Sequence, residues 1–141
     1  LTTEGGLDVI RSAAKIEKVI KAAKKHAITV SLFVDPEEPQ IKASSNIGAD
    51  MVEIHTGAYA DARTPRIRER ELKKVIQAAA LGRQLGLGVN AGHGLHYHNV
   101  REIAVIPEMH ELSIGHSIIA RAVFVGLDRA VREMIELIGD R

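Results

Sequence analysis

Leu87-Gly88-Val89-Asn90-Ala91-Gly92-His93-Gly94 is a short apolar run that gives way to glycines around a histidine. A strand that ends in glycines lets its backbone approach a ligand closely, because no Cβ intervenes. A histidine between two of them meets a ligand with little shielding, and an unperturbed pKa of about 6.5 suits it to moving protons at neutral pH. A purely structural turn has no need of imidazole between glycines. His93 is therefore the first candidate functional residue, and Leu87 to Ala91 is the strand that presents it.

Outward from that strand, helical and extended patterns alternate. Asp8 is placed to cap a helix from about Val9 to His26, whose Val9, Ala13, Ile16, Val19, Ile20 and Ala23 keep helical spacing. Ile28 to Val34 reads as a buried strand, with Asp35 and Pro36 as the cap and first turn of a short helix closed by Gly48. Met51 to His55 is the next strand, followed by Thr56-Gly57, a loop, and a long helix from about Thr64 to Leu85 that stops at Gly86. The charged stretch Arg66-Ile67-Arg68-Glu69-Arg70-Glu71 reads as a solvated helix face. Beyond His93 come a short helix over Asn99 to Val105, a strand over Met109 to Ile114, and helices over Ser117 to Val125 and Asp128 to Ile138. The order α-β-α-β-α-β-α-β-α implies a parallel sheet with helical crossovers. Its strands are short and apolar, the pattern of strands covered on both faces.

The polar residues collect at one end of those strands. Asp35, His55 with Thr56, Asn90 with His93, and Gly115 with His116 all fall at C-terminal strand ends. In a (β/α) barrel those ends form the catalytic face, and in an open doubly wound sheet they form the ligand crevice. Four strands are half of a barrel. Glu53 sits mid-strand between Val52 and Ile54, where a carboxylate is costly unless it is paired or faces a ligand. Strand alternation puts His55 on the same face, as a supporting partner or a core histidine. His93, His96 and His98 cluster in one loop, but no regular face sets their spacing and no acidic residue lies nearby in sequence, so no metal is expected.

Bulk composition narrows the function classes. The chain of 141 residues is of single-domain size, with a net charge of +1, 3% aromatic residues and no Trp. Neither a cationic field nor stacking platforms for nucleic acid follow from that. Cysteine is absent, which excludes disulfides, zinc–thiolate sites and thiol catalysis. No apolar run is long enough to span a bilayer, no secretory signal opens the chain, and the cytoplasm is the expected compartment. The first residues lack Met and read as a loop already under way, so the chain reads as a fragment.

Five ordered blocks carry a specific resemblance. They are Thr2-Thr3-Glu4-Gly5-Gly6-Leu7-Asp8-Val9, Val30-Ser31-Leu32-Phe33-Val34-Asp35, Val52-Glu53-Ile54-His55-Thr56-Gly57-Ala58-Tyr59-Ala60, Val89-Asn90-Ala91-Gly92-His93-Gly94-Leu95 and Glu111-Leu112-Ser113-Ile114-Gly115-His116. In order and spacing they resemble the pyridoxine 5'-phosphate synthase family over essentially the whole chain. The resemblance implies an α/β fold of (β/α) TIM-barrel type, here strands five to eight with their helices as a half-barrel over residues 1–141. It implies a homo-oligomer that uses no metal or organic cofactor. The implied reaction condenses 3-amino-2-oxopropyl phosphate with 1-deoxy-D-xylulose 5-phosphate, giving pyridoxine 5'-phosphate, phosphate and water.

Matching blocks imply roles residue by residue. Thr2 would contact the deoxyxylulose phosphate, Glu53 would stabilise charged intermediates, and His93 would be a general acid/base. Gly94, Gly115 and His116 would bind the aminooxopropyl phosphate. The family's first three strands supply further substrate contacts, a catalytic His, a phosphate-binding Arg and a catalytic Glu, none of which this chain contains. The expected partners are thus two phosphorylated small molecules, with no nucleic acid and no membrane. An alternative of another class is an inactive phosphate-binding or self-assembling half-barrel, since four strands leave edges and an inner face open to a second copy.

Overall fold

The computed structural model describes residues 5–139. Along the chain run α1 (Val9–Lys24), β1 (Ser31–Val34), α2 (Glu38–Asn46), β2 (Met51–His55), α3 (Gly57–Ala60), α4 (Pro65–Gln84), β3 (Gly88–Gly92), α5 (Val100–Ala104), β4 (Glu111–Ser113), α6 (His116–Val125) and α7 (Leu127–Ile138). All four strands are parallel and lie in chain order, β1-β2-β3-β4. That order has no reversal. Right-handed crossovers taken always in one direction put the connecting helices on one side of the sheet, as in a barrel and unlike a doubly wound sheet. The fold is half of a TIM-type (β/α) barrel.

Register decides which residues share a face. Val34, Ile54, Ala91 and Leu112 stand side by side across the sheet, as do Leu32, Val52 and Val89. These residues face the helices, where Val34, Val52, Ile54, Val89 and Ala91 join Ile41, Val75 and Ala79 in a core with almost no solvent exposure. The opposite face carries Phe33, Glu53, Asn90 and Glu111 in one row and His55, Gly92 and Ser113 in the next. Ser31, Glu111 and Ser113 are exposed there, and Phe33, Met51 and Glu53 are half-buried. The expectation of strands covered on both faces is therefore corrected. Most of their apolar residues serve the helical side, and the second face, where Phe33 and Met51 stand among polar residues, is only partly covered.

Local chemistry explains most boundaries. The Asp8 carboxylate accepts from the Arg11 N–H at 3.0 Å and caps α1. Thr64 accepts from the Ile67 N–H at 3.3 Å, and Pro65 opens α4 behind it. Gly86, at φ +79°, ends that helix as read from the sequence. Four expectations are corrected. β1 begins at Ser31 rather than Ile28, because the Asp50 carboxylate takes the Val30 N–H and the Val30 carbonyl takes the N–H groups of Asp50 and Met51. α2 begins at Glu38 with Pro39 in its first turn, and Asp35 is not its cap, its carboxylate being engaged elsewhere. The last strand is only Glu111–Ser113, so His110 precedes it. α3 is a single turn that the sequence pattern did not reveal.

α6 buries none of its residues, and Ile119, Val123 and Phe124 are 59%, 77% and 85% exposed. At the other edge of the sheet, Leu7 donates its N–H to the Phe33 carbonyl at 2.8 Å, so the segment before α1 runs along β1.

Ala27 closes α1 at φ +56°, a left-handed conformation that favours glycine. Ala27→Gly is expected to raise the free energy of unfolding, and so the stability, by about 1 kcal/mol. Urea unfolding followed by circular dichroism measures it, with an unchanged slope expected.

Candidate active site

The C-terminal rim of the sheet is built around a strained histidine. His93 follows β3 at φ +81°, and Gly94 continues the turn at φ +73°. A left-handed non-glycine residue costs on the order of 1–2 kcal/mol and persists only when its surroundings fix it. Two buried side chains do so here. Thr56, at the end of β2, lies 2.6 Å from both the Gly92 and His93 carbonyls through its hydroxyl, and its N–H donates to the Gly92 carbonyl at 2.8 Å. Asn99 donates to the Gly94 carbonyl at 3.1 Å and accepts from the His96 N–H at 2.7 Å. Both clamps are buried, Thr56 completely. The His93 imidazole itself is exposed at the rim.

Glu53 lies on the open face of β2, half-buried. Its carboxylate occupies the space that a side chain at Gly92 would fill, since a Cβ there would collide with Glu53 Oε1. Gly92 must lack a side chain for Glu53 to lie over the strand that ends at His93. A Cβ at Gly57 would likewise lie 2.6 Å from His55 Nε2 and 3.1 Å from His93 Cδ2. Missing side chains at residues 57 and 92 thus clear room for two imidazoles and a carboxylate.

Two cavities meet at His93. One, of about 470 Å³, is lined by His93 and Gly94 on one side and by Gly115, His116 and Ser117 on the other. Gly115 precedes α6 and His116 is its first residue, so the unsatisfied N–H groups of a ten-residue helix open toward that space. The other, of about 640 Å³, is lined by His93, His55, Asp35, Gly57, Asp61 and Lys74 among others. Of the sequence-derived candidates, the fold brings His93, Gly94, Gly115 and His116 to one cavity and puts Glu53 against the strand end beneath His93. Thr2 lies outside the described residues.

The surroundings of the rim are rigid. Tyr59 on α3 is 1% exposed, and its hydroxyl lies 2.7 Å from the Asn99 carbonyl, 2.6 Å from Glu102 Oε2 and 3.0 Å from Arg68 Nη2. Burial, and then the neighbouring Glu102 carboxylate, push the Tyr59 pKa up to about 12. This cluster ties α3, α4 and α5 together behind the His93 turn. Glu71 is a correction to the solvated face read from the sequence. It is 5% exposed and paired with Lys74 at 2.8 Å and Arg70 at 2.7 Å, and Lys74 leads in holding its carboxyl below the usual range. In the loop after His93, burial lowers the pKa of His96, whose Nδ1 accepts the His98 N–H at 3.1 Å.

The sequence reading missed the pairing of Asp35 with His55, whose Oδ1 and Nδ1 are 2.8 Å apart. It also missed Asn99 as a clamp. Pro36, directly after it, gives Asp35 the local pattern of a helix cap. The usable signal was register, since Val34 pairs with Ile54 and the next residues of the two strands must lie side by side.

A parallel half-barrel with paired imidazoles and a carboxylate at its C-terminal rim has the form of a (β/α)-barrel enzyme site. The chain belongs to the family of pyridoxal phosphate biosynthesis protein PdxJ, whose model matches residues 1–140. It is 54% identical over 138 residues to the pyridoxine 5'-phosphate synthase of Geobacter metallireducens, and 53% identical over 138 residues to that of Geobacter sulfurreducens. A third relative, from Syntrophotalea carbinolica, is 54% identical over 139 residues. The alignments cover 98–99% of this chain but only 58% of each relative's length.

His93→Gly removes the backbone strain and little packing, because the ring is exposed. It is expected to leave the protein as stable or about 1 kcal/mol more stable. A clear loss of stability in urea unfolding would show that the left-handed turn is not strained.

Proposed function

We propose that this chain supplies the later half of a pyridoxine 5'-phosphate synthase barrel. In this reading the completed barrel condenses 3-amino-2-oxopropyl phosphate with 1-deoxy-D-xylulose 5-phosphate, releasing phosphate and water. The observation that carries it is His93, held in a left-handed turn where two cavities meet, with Glu53 packed over Gly92 just before it. Two cavities sharing one imidazole suit a reaction that joins two substrates.

The chemistry demands what these groups offer. An amine attacks a ketone and loses water, which forms a carbon–nitrogen bond; phosphate leaves; and a single carbon–carbon bond then closes the ring with loss of a further water. Each step moves protons to or from nitrogen, oxygen or carbon, and an imidazole can give and take them near neutral pH. The Glu53 carboxylate stabilises developing iminium-like positive charge from a fixed position. The aminooxopropyl phosphate binds where α6 begins, with Gly115 allowing close approach of its phosphoryl oxygens and His116 adding a donor. Gly94, the neighbour of His93, completes that wall. Thr2 takes its expected role at the other substrate.

The open sheet face supports reading the chain as one half of a closed structure. Parallel sheets are normally covered on both sides, and Phe33, Met51 and Glu53 are only partly covered here. A second reading, self-association of the half-barrel without turnover, draws on the same open face and on the exposed Ile119, Val123 and Phe124. Light scattering of the purified chain with and without inorganic phosphate addresses that reading.

The deciding experiment joins this chain to the N-terminal portion of the Geobacter metallireducens relative that it leaves unmatched, and assays both substrates for pyridoxine 5'-phosphate. Product is expected from the joined protein and none from this chain alone. A folded joined protein that makes no product would overturn the proposal. Within it, His93→Ala is expected to lower kcat by about 10²- to 10⁴-fold with a smaller change in KM. His116→Ala is expected to weaken aminooxopropyl phosphate binding at least about tenfold, and an unchanged Kd would remove it from the phosphate site.

A further inference from the structure

His55 is a buried imidazole with one nitrogen engaged and the other idle. Its side chain is only 10% exposed. Nδ1 lies 2.8 Å from Asp35 Oδ1, and Nε2 is buried with no hydrogen-bond partner among the described residues. An ionised carboxylate only accepts, so Nδ1 carries the hydrogen and Nε2 of the neutral ring is an acceptor. The Gly6 N–H donates to the same Asp35 oxygen at 3.1 Å and helps fix the carboxylate. Phe33 holds the ring from the side, with centroids 5.1 Å apart. A buried acceptor left without a donor carries its desolvation penalty uncompensated, so its retention calls for a reason.

The neighbour that can supply the donor is His93. The two rings stand edge to face with centroids 4.8 Å apart and planes at 62°. Two imidazoles joined by an N–H···N bond of about 2.9 Å have centroids roughly 5 Å apart. The rings are thus at bonding separation, and a reorientation of the exposed His93 ring brings one of its nitrogens to His55 Nε2. Gly57 keeps the gap open, since a Cβ there would press on His55 Nε2 and His93 Cδ2 together.

The geometry points to an Asp35–His55–His93 relay in which His55 is a positioning residue. Asp35 sets the tautomer of His55, and His55 Nε2 accepts an N–H from His93. That bond fixes which His93 nitrogen faces the substrates and leaves it with a free lone pair. When His93 takes a proton there, its other N–H is already held by an acceptor backed by a carboxylate, as in hydrolase triads where the buried acid orients the base. The inference rests on the proposed role of His93 as the general acid/base.

The test uses the joined protein described above and two independent readouts. In long-range ¹H–¹⁵N spectra near neutral to mildly alkaline pH, His55 should be protonated at Nδ1 and bare at Nε2, and Asp35→Ala should abolish that preference. In steady-state assays, Asp35→Asn and His55→Phe should each lower kcat at least about tenfold while KM stays within about twofold. His55→Gln, which can still present an acceptor, should retain more kcat than His55→Phe. With His93→Ala already in place, His55→Phe should have no further effect. An Nε2–H or doubly protonated His55 would overturn the relay, as would wild-type kcat in folded Asp35→Asn and His55→Phe proteins. A joined protein that makes no product at all would instead sink the proposed function, with the tautomer still read by NMR.

Discussion

Parallel pairing in chain order is the constraint on which the rest of this structure depends. Once β1 to β4 lie side by side in sequence order, every connecting helix returns on the same side, and every strand ends at the same rim. Register then sorts the side chains. Val34 against Ile54 against Ala91 forms a row that helices must cover, and the alternate row, Phe33, Glu53, Asn90 and Glu111, is left to whatever fills the inside of the curve. A slip of β2 by one residue would exchange its two rows and bury Glu53 among valines. The apolar core and the polar rim are therefore outcomes of one set of backbone hydrogen bonds.

Missing side chains do much of the site's geometry. Gly92 yields its Cβ space to Glu53, and Gly57 yields its own to His55 and His93. Glycine brings a backbone entropy cost in an extended strand end, but no other residue lets a carboxylate lie flat across its neighbour. The strain at His93 is the counterpart. A φ of +81° at an imidazole is held by Thr56 and Asn99, two buried polar residues whose side chains hydrogen-bond to the turn. Stability is given up at one residue so that its side chain projects where two cavities meet.

Polar anchoring away from the rim serves the same end. Tyr59 binds Asn99, Glu102 and Arg68 together, so the residue that clamps the His93 turn is itself fixed to α4 and α5. The Asp35–His55 pair joins the ends of β1 and β2 and sets an imidazole against the His93 ring. The turn is thus held by backbone contacts from Thr56 and Asn99, and its side chain abuts His55.

The sequence by itself determined the order of the four strands and of every helix but α3, the parallel sheet and the position of the candidate residues at C-terminal strand ends. Apolar periodicity, the caps Asp8 and Thr64 and the stop at Gly86 are local signals, and local chemistry is written in neighbouring residues. The family was also legible, in blocks around Glu53, His93 and His116. Only the tertiary structure decided that Asp35 binds His55 instead of capping a helix, that Glu71 is buried, and that one face of the sheet is open. Each of these depends on which residues of different strands and helices become neighbours. That is set by register and crossover direction, which link residues 20 or more apart in sequence, such as Asp35 and His55, and leave no trace in the composition of either segment.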